Sequence, residues 1–251
     1  MGHRAINLSA SLPPASSRSD HNIIRRWSFV KFFVFISKLV LLLDMYRKHH
    51  TKGIVISSKV EGDSNKRVNL FTESFGLLNA KVQGGRNMHS KFRSGSQDFS
   101  YGDFSLIHGK TGWRVVGVSS EQNFYESFRN SPDKMRIVSN VLNLIKKLTD
   151  EEKINSQLFT IVSNFLNFLL ADELSRDTFK LPRSQKAPFD SIALTECLTL
   201  IRILHSLGYM RHDPEFMIPM TSSEIEIKDL EAIAPRRAKM VALINESLKA
   251  T

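Results

Sequence analysis

The sequence predicts an α+β protein in which a five-stranded, OB-like β-barrel precedes an α-helical domain. Between residues 51 and 120, short segments alternate apolar with polar residues, which is typical of strands that are half buried. Beyond residue 120 the apolar residues recur every three or four positions, as they do on one face of a helix. We therefore predict an N-terminal extension at 1–44, a barrel domain at 45–120 and a helical domain at 121–251.

The first three predicted strands are the segments KGIVISSK, RVNLFT and LLNAKVQ, at residues 52–59, 67–72 and 77–83. In the third segment Leu78, Ala80 and Val82 share one face, so Lys81 points to the opposite face. Gly76 lies between the second and third segments, where a tight hairpin needs a positive φ angle. The pattern therefore predicts a meander of antiparallel strands.

The last two predicted strands form a hairpin from the segments DFSYGDFSLIHG and GWRVVGVS, at residues 98–109 and 112–119. Lys110 lies in the turn between them, and Trp113 and Val115 alternate with Arg114 in the second strand. Five short strands expose sheet edges unless the sheet closes, and a small barrel removes those edges. An OB-like barrel is the leading prediction, and an SH3-like barrel fits the number of strands nearly as well.

The charge balance predicts an anionic partner, because Lys and Arg exceed Asp and Glu by 35 − 25 = 10. Nucleic acid is the first such partner and an anionic membrane is the second, while charge that only maintains solubility is the alternative. Cys197 is the only cysteine, so neither an intrachain disulfide nor a cysteine zinc site can form. This composition fits a reducing, cytoplasmic setting.

The segment QGGRNMHSKFRSG, at residues 83–95, is the main candidate for phosphate binding. Its glycine pair lets the backbone turn sharply or approach a polyanion closely, and its three cations lie without a nearby acid. A solvated loop that only keeps a strand edge soluble is an equal alternative. The candidate DNA-binding residues are Lys81, Arg86, Lys91 and Arg93, followed by Arg67, Lys110 and Arg114 as weaker candidates. Candidates for base stacking are His89, Phe92 and Tyr101, although the last two are typical of a barrel core or rim.

The helical region begins at a strong start signal. Ser131 can cap a helix whose first residue is Pro132, and an apolar stripe follows at Met135, Val138, Val141, Leu142, Ile145 and Leu148. Residues 154–174 carry so wide an apolar surface that this second helix should lie centrally in a bundle. A proline-containing linker is predicted at 177–189, before a helix at 190–207 that Gly208 can end.

A last helix is predicted to start at Pro235. Arg236, Arg237 and Lys239 lie in its first turns, where cations oppose the helix dipole. The acidic segment 224–231 can neutralise them internally, and DNA or an acidic protein tail is the alternative.

The N-terminal extension contains the apolar run 28–43, which is shorter than a usual membrane span and is interrupted by Lys31 and Lys38. A marginal membrane anchor, a segment like a signal peptide and a misassigned start are the three interpretations. The sequence LLLDMYRKHH after the run has no small-residue cleavage site, which weakens the second. We expect initiation at Met45, where globular patterning begins.

Four segments in order resemble the bacterial recombination and repair mediator family RecO: TKGIVISSK, RVNLFTESFGLLNAKVQGGRNMHSKF, QDFSYGDFSLIHG and LIRILHSLGYMRHDPEF. The resemblance covers about residues 46–208 and includes the family's L-F-T-x-x-x-G pattern. It implies an OB-fold followed by a helical domain. It also implies binding of single- and double-stranded DNA, annealing of complementary strands, and loading of recombinase together with RecR and the acidic tail of single-strand-binding protein.

The chain departs from the family pattern at three places. The family's usual acid before the second strand is replaced by the segment EGDSNKR, at residues 61–67. Gln83 replaces the loop lysine that precedes the first glycine, so one phosphate contact is in doubt. Many family members carry a cysteine zinc module after the LGY segment, whereas this chain has His212 and no cysteine there. We therefore predict neither a metal nor another cofactor.

The sequence contains no nucleotide-binding glycine loop, nucleophile motif or paired acids in a metal pattern. Cys197 has the spacing of a core residue in a helix. We predict a DNA-binding protein of recombinational repair that is not an enzyme, located in the cytoplasm at the nucleoid. A membrane-tethered adaptor, anchored by residues 28–43 and docking proteins through its helices, is the alternative, and we expect membrane contact to be the less favoured of the two.

Overall fold

The computed structural model describes residues 47–171, 191–210, 216 and 222–249. The N-terminal extension and the predicted linker at 177–189 lie outside these residues, as does His212. None of the helices in the described ranges has both the length and the apolar character that are needed to cross a bilayer.

Five strands form the first part of the fold: β1 (Lys48–Glu61), β2 (Asn65–Thr72), β3 (Gly76–Val82), β4 (Ser100–Gly109) and β5 (Gly112–Asn123). They close into a barrel in the order β1-β2-β3-β5-β4, and β4 returns to pair with β1. The pairing of β3 with β5 is parallel and all other pairings are antiparallel. This Greek-key closure confirms the OB-like barrel that the sequence predicts.

The inside of the barrel is filled by the apolar residues of the alternating segments. Leu78, Ala80 and Val82 of β3 are buried there with Trp113 and Val115 of β5. The turn before β3 has the predicted conformation, because Gly76 has a φ angle of +69°. The predicted faces of β3 and β5 are therefore confirmed.

The helices, where described, are α1 (Phe124–Phe128), α2 (Pro132–Leu148), α3 (Ser156–Leu170), α4 (Ser191–Ser206), α5 (Ile227–Ile233) and α6 (Arg237–Lys249). Gly208 follows α4 with a φ angle of +78°, as predicted. Ser131 occupies the N-cap position of α2, but its side chain makes no capping hydrogen bond. The last α-helix begins at Arg237 rather than Pro235, because Ala234–Arg236 forms a 3-10 turn first.

A second apolar core joins the helices to the outside of the barrel. Ile54, Phe71 and Leu77 occupy neighbouring positions on β1, β2 and β3, and all three are buried in the same cluster as the helices. Phe159 of α3 lies 5.5 Å from Phe71, measured between ring centroids. Helix α3 also packs against α4, so both of its sides are covered. This explains why its apolar surface is so wide.

Candidate nucleic-acid interface

The outward-facing side chains of the barrel form rows that run across the strands, perpendicular to the strand direction. The apolar row of Ile54, Phe71 and Leu77 lies under the helices. The next outward-facing row consists of Ser57, Asn69 and Asn79, and Asn69 Nδ2 donates a hydrogen bond to Ser57 Oγ at 2.9 Å. Because side chains alternate between faces, the following outward row lies two residues further along each strand.

That following row is cationic, and we call it the cation row. It consists of Lys59 on β1, Arg67 on β2, Lys81 on β3 and Arg114 on β5, each opposite the next in the strand register. Adjacent strands lie about 4.8 Å apart, so the row extends over about 14 Å. Three of these residues are predicted site residues, and the fourth, Lys59, was missed.

Among the described residues, one acid, Glu61, contacts the cation row. Glu61 Oε1 accepts hydrogen bonds from Arg67 Nη2 at 2.6 Å and from Arg67 Nε at 3.2 Å. Lys81 Nζ lies 3.4 Å from Glu61 Oε2. Hydrogen bonding from the Arg67 guanidinium holds the pKa of the Glu61 carboxyl below its usual range, so Glu61 is ionised at neutral pH. Arg67 and Lys81 therefore share one carboxylate.

Arg86 has an additional role, because it fastens the segment after β3 to the turn between β1 and β2. Its Nη1 donates to the carbonyl oxygens of Gly62 and Asp63, at 3.2 and 2.9 Å, and its backbone N–H donates to Ser64 O at 3.1 Å. A guanidinium has five N–H donors, so these bonds leave others for a phosphate. Arg86 is thus both a structural contact and a candidate binding residue.

Lys91 and Arg93 are both exposed in the turns of the β3–β4 segment. Lys91 Nζ lies 5.4 Å above the ring of Phe92. That ring packs against the barrel core, as the sequence analysis considered typical, and it borders an open hollow of about 560 Å³ together with His89. No acidic side chain in the described ranges contacts Arg93.

Lys110 lies in the turn between β4 and β5, and it is exposed. Arg114 follows it on β5, also exposed, next to Lys81 in the cation row. OB barrels bind oligonucleotides with the outer face of strands 2 and 3 and with the loops that join strands 1–2 and 4–5. Arg67 and Lys81 lie on these strands and Lys110 lies in the β4–β5 turn, while Arg86 contacts the β1–β2 turn from the segment after β3.

The helical part contributes a further cation that the sequence analysis missed. Lys146 of α2 donates from Nζ to Ser57 Oγ, in the row next to the cation row, at 3.1 Å. The two residues are 89 positions apart in the chain. No local sequence signal joins them. Strand periodicity places Lys59 on the same face of β1 as the outward-facing Ser57, because the two residues are two positions apart.

The remaining candidate for base stacking, Tyr101, belongs to the helix side of the barrel. Its ring centroid lies 6.2 Å from that of Phe124, and Lys52 Nζ lies 5.5 Å above the ring. Within the described ranges no group of three or more His, Cys, Asp or Glu side chains is arranged to hold a metal ion. The cation row and the β3–β4 segment are thus the principal features of the candidate interface.

Comparison with known proteins agrees with this architecture. Residues 45–115 match the family model described as Recombination protein O N terminal. The chain is 27% identical over 128 residues to DNA repair protein RecO of Alkaliphilus metalliredigens, and the aligned region covers 51% of this chain and 52% of that protein. It is 24% identical over 159 residues to DNA repair protein RecO of Acetivibrio thermocellus, covering 63% and 57% of the two chains.

DNA repair protein RecO of Halalkalibacterium halodurans is 30% identical over 124 residues, covering 48% of this chain and 47% of that protein. The chain therefore spans about half the length of the curated relatives that it matches. The family model covers the β1–β4 region and the first residues of β5, where the cation row lies.

Proposed function

The chain belongs to the RecO family, and from this premise we propose that it is a DNA-binding protein of recombinational repair without catalytic activity. It binds single- and double-stranded DNA, anneals complementary strands and helps to load recombinase. The observation that carries this proposal is the cation row, in which four strands of one barrel each present a positive side chain at neighbouring positions. Cations in such a row can follow consecutive phosphates of a backbone.

We assign the DNA contacts to the barrel domain, at residues 45–120. Lys81, Arg86, Lys91 and Arg93 hold backbone phosphates, and Arg67, Lys110 and Arg114 extend the contact over β2, β5 and the β4–β5 turn. Phosphate contacts fix the position of a strand but do not read its sequence, so binding is independent of base order.

Annealing then requires only binding energy. Cations that neutralise the phosphates of two strands release condensed counterions and reduce the repulsion between the strands. No step in this process consumes a nucleotide cofactor or needs a metal ion. The protein would act in the cytoplasm at the nucleoid.

We assign the protein partners to the helical domain at 121–251. A RecR-like protein and single-strand-binding protein are the proposed partners, and recombinase is reached indirectly. Arg237 is exposed at the start of α6, where a cation opposes the helix dipole and an acidic protein tail would neutralise it. Glu226 and Asp229 of the neighbouring acidic segment contact Lys228 and Arg202.

The proposed function is tested by annealing of complementary oligonucleotides that are coated with the cognate single-strand-binding protein. We expect the full chain to accelerate duplex formation at about 50 mM salt, and to lose most of this effect by about 200 mM, because several phosphate contacts are involved. Duplex formation is followed by quenching of paired fluorophores. If the chain binds bare DNA but leaves coated strands unpaired, it is a simple DNA binder and the mediator role is wrong.

The β3–β4 segment is tested by the double variant Lys91→Gln, Arg93→Gln. Loss of two phosphate contacts on single-stranded DNA makes the slope of log affinity against log salt shallower by about 1.4. If the variant and the wild-type chain bind equally at about 1 M salt, this change in slope makes the variant about 25-fold weaker at about 0.1 M salt. Fluorescence anisotropy with a labelled oligonucleotide measures both quantities. The matched control is Arg129→Gln, Lys153→Gln, which removes two exposed cations outside the barrel. Equal slopes for the two variants would contradict the assignment of this segment.

A further inference from the structure

We propose that Glu61 is an intramolecular competitor for phosphate within the cation row. In the free chain its carboxylate occupies the position between Arg67 and Lys81 that a DNA phosphate takes in the complex, so the backbone must displace it. This inference rests on the proposed function. Its consequence is selectivity: the row binds chains of phosphates and excludes single phosphate anions.

The geometry of Arg67 supports the competition. Its Nε and Nη2 both donate to Glu61 Oε1, so the edge of the guanidinium that best receives an oxyanion is already occupied. The other edge faces Asn79, whose Oδ1 lies 3.4 Å from Nη1. A phosphate can therefore form a two-donor contact with this edge of Arg67 only after Glu61 has been displaced.

The contact with Lys81 supports it as well. Lys81 Nζ lies 3.4 Å from Glu61 Oε2, but this oxygen is buried without a partner in hydrogen-bond geometry. One carboxylate thus partly neutralises two cations, and its contact with Lys81 lacks hydrogen-bond geometry. The side chains of Arg67, Lys81 and Glu61 are 39%, 39% and 35% exposed, so solvent reaches the cluster and weakens it.

The ends of the row provide the selectivity. No acidic side chain within the described ranges contacts Lys59 or Arg114. These two cations lie on either side of the Arg67 and Lys81 pair and can bind a backbone before Glu61 is displaced. A ligand with several phosphates gains these outer contacts, whereas a single phosphate only exchanges one anion for another.

The variant Glu61→Gln keeps the size of the side chain and removes its charge. We expect it to bind single-stranded DNA about fivefold more tightly at about 0.1 M salt, with a log-log slope steeper by about 0.7, because one more phosphate is neutralised. Inorganic phosphate should also displace DNA from this variant at lower concentration than from the wild-type chain. Asp63→Asn is the matched control, because Asp63 is an exposed acid in the adjacent turn whose carboxylate contacts none of the row.

A second comparison distinguishes displacement from a general change of charge. In the background Arg67→Gln, Lys81→Gln, the Glu61→Gln change should give no further gain in affinity, since its two partners are gone. The inference is overturned if Asp63→Asn gives the same gain, or if the gain persists in that background. Wild-type binding that depends on salt, together with no gain from Glu61→Gln, overturns this inference alone. Absence of salt-dependent binding by the wild-type chain overturns the proposed function too.

Discussion

The triple variant Arg67→Gln, Lys81→Gln, Arg114→Gln is expected to bind single-stranded DNA about 100-fold more weakly than the wild-type chain at about 0.1 M salt. The reason is the register of the barrel, which places these three cations opposite one another on β2, β3 and β5. Loss of three phosphate contacts lowers the log-log salt slope by about 2.1. Over a tenfold change in salt concentration, this difference in slope corresponds to about 100-fold in affinity. Fluorescence anisotropy of a labelled oligonucleotide at several salt concentrations measures it.

The matched control for this variant is Arg129→Gln, Lys153→Gln, Lys249→Gln, which removes the same charge from exposed positions outside the barrel. It should retain affinity within about threefold, because the three substituted side chains belong neither to the cation row nor to the β3–β4 segment. If both triple variants lose affinity equally, binding depends on net charge and the cation row has no special role. Far-ultraviolet circular dichroism should be the same for all three chains, since the substituted side chains are exposed or only half buried.

Gly76→Ala is expected to lower the free energy of unfolding by about 2–5 kcal/mol, which combines backbone strain with a steric clash. The φ angle of Gly76 is +69°, and a β-carbon there would lie 2.1 Å from the carbonyl oxygen of Lys153. The loop between α2 and α3 would therefore have to move away from the barrel. Chemical denaturation followed by circular dichroism measures the loss.

Two hydrogen bonds fasten that loop to the barrel and would be strained by the substitution. Glu152 N donates to Leu77 O at 2.9 Å, and Trp113 Nε1 donates to Glu152 Oε1 at 2.9 Å. Gly208→Ala is the control: its φ angle is +78°, but no atom of the described residues lies within 4 Å of the added carbon. This control variant should lower the free energy of unfolding by only about 1 kcal/mol, because it adds backbone strain without a steric clash. Equal losses in the two variants would show that the close approach at Gly76 contributes nothing.

Much of the candidate site could be predicted because the period of a strand assigns each side chain to a face. Lys81 was placed outward from its alternation with Ala80 and Val82, and the structure confirms this. The short acidic helix α5 was not predicted, although Asp229 Oδ2 accepts a hydrogen bond from Glu226 N, a cap that lies within four residues.

What could not be predicted depends on register and closure. The pairing of β1 with β2 shifts between Val55 and Ser57, and only this irregularity brings Lys59 opposite Arg67. The parallel pairing of β3 with β5 brings Arg114 beside Lys81, across a separation that the hairpin turns do not specify. Neither relation can be read from a segment by itself.

The sequence by itself determined the number of strands, the faces of β3 and β5, the turn at Gly76 and the long helices α2, α3 and α4, because these depend on local periodicity and on backbone preferences. Only the tertiary structure decided which cations are neighbours and which of them Glu61 engages. Contacts across strands depend on how the barrel closes, and closure is fixed by the packing of the whole core rather than by neighbouring residues in the chain.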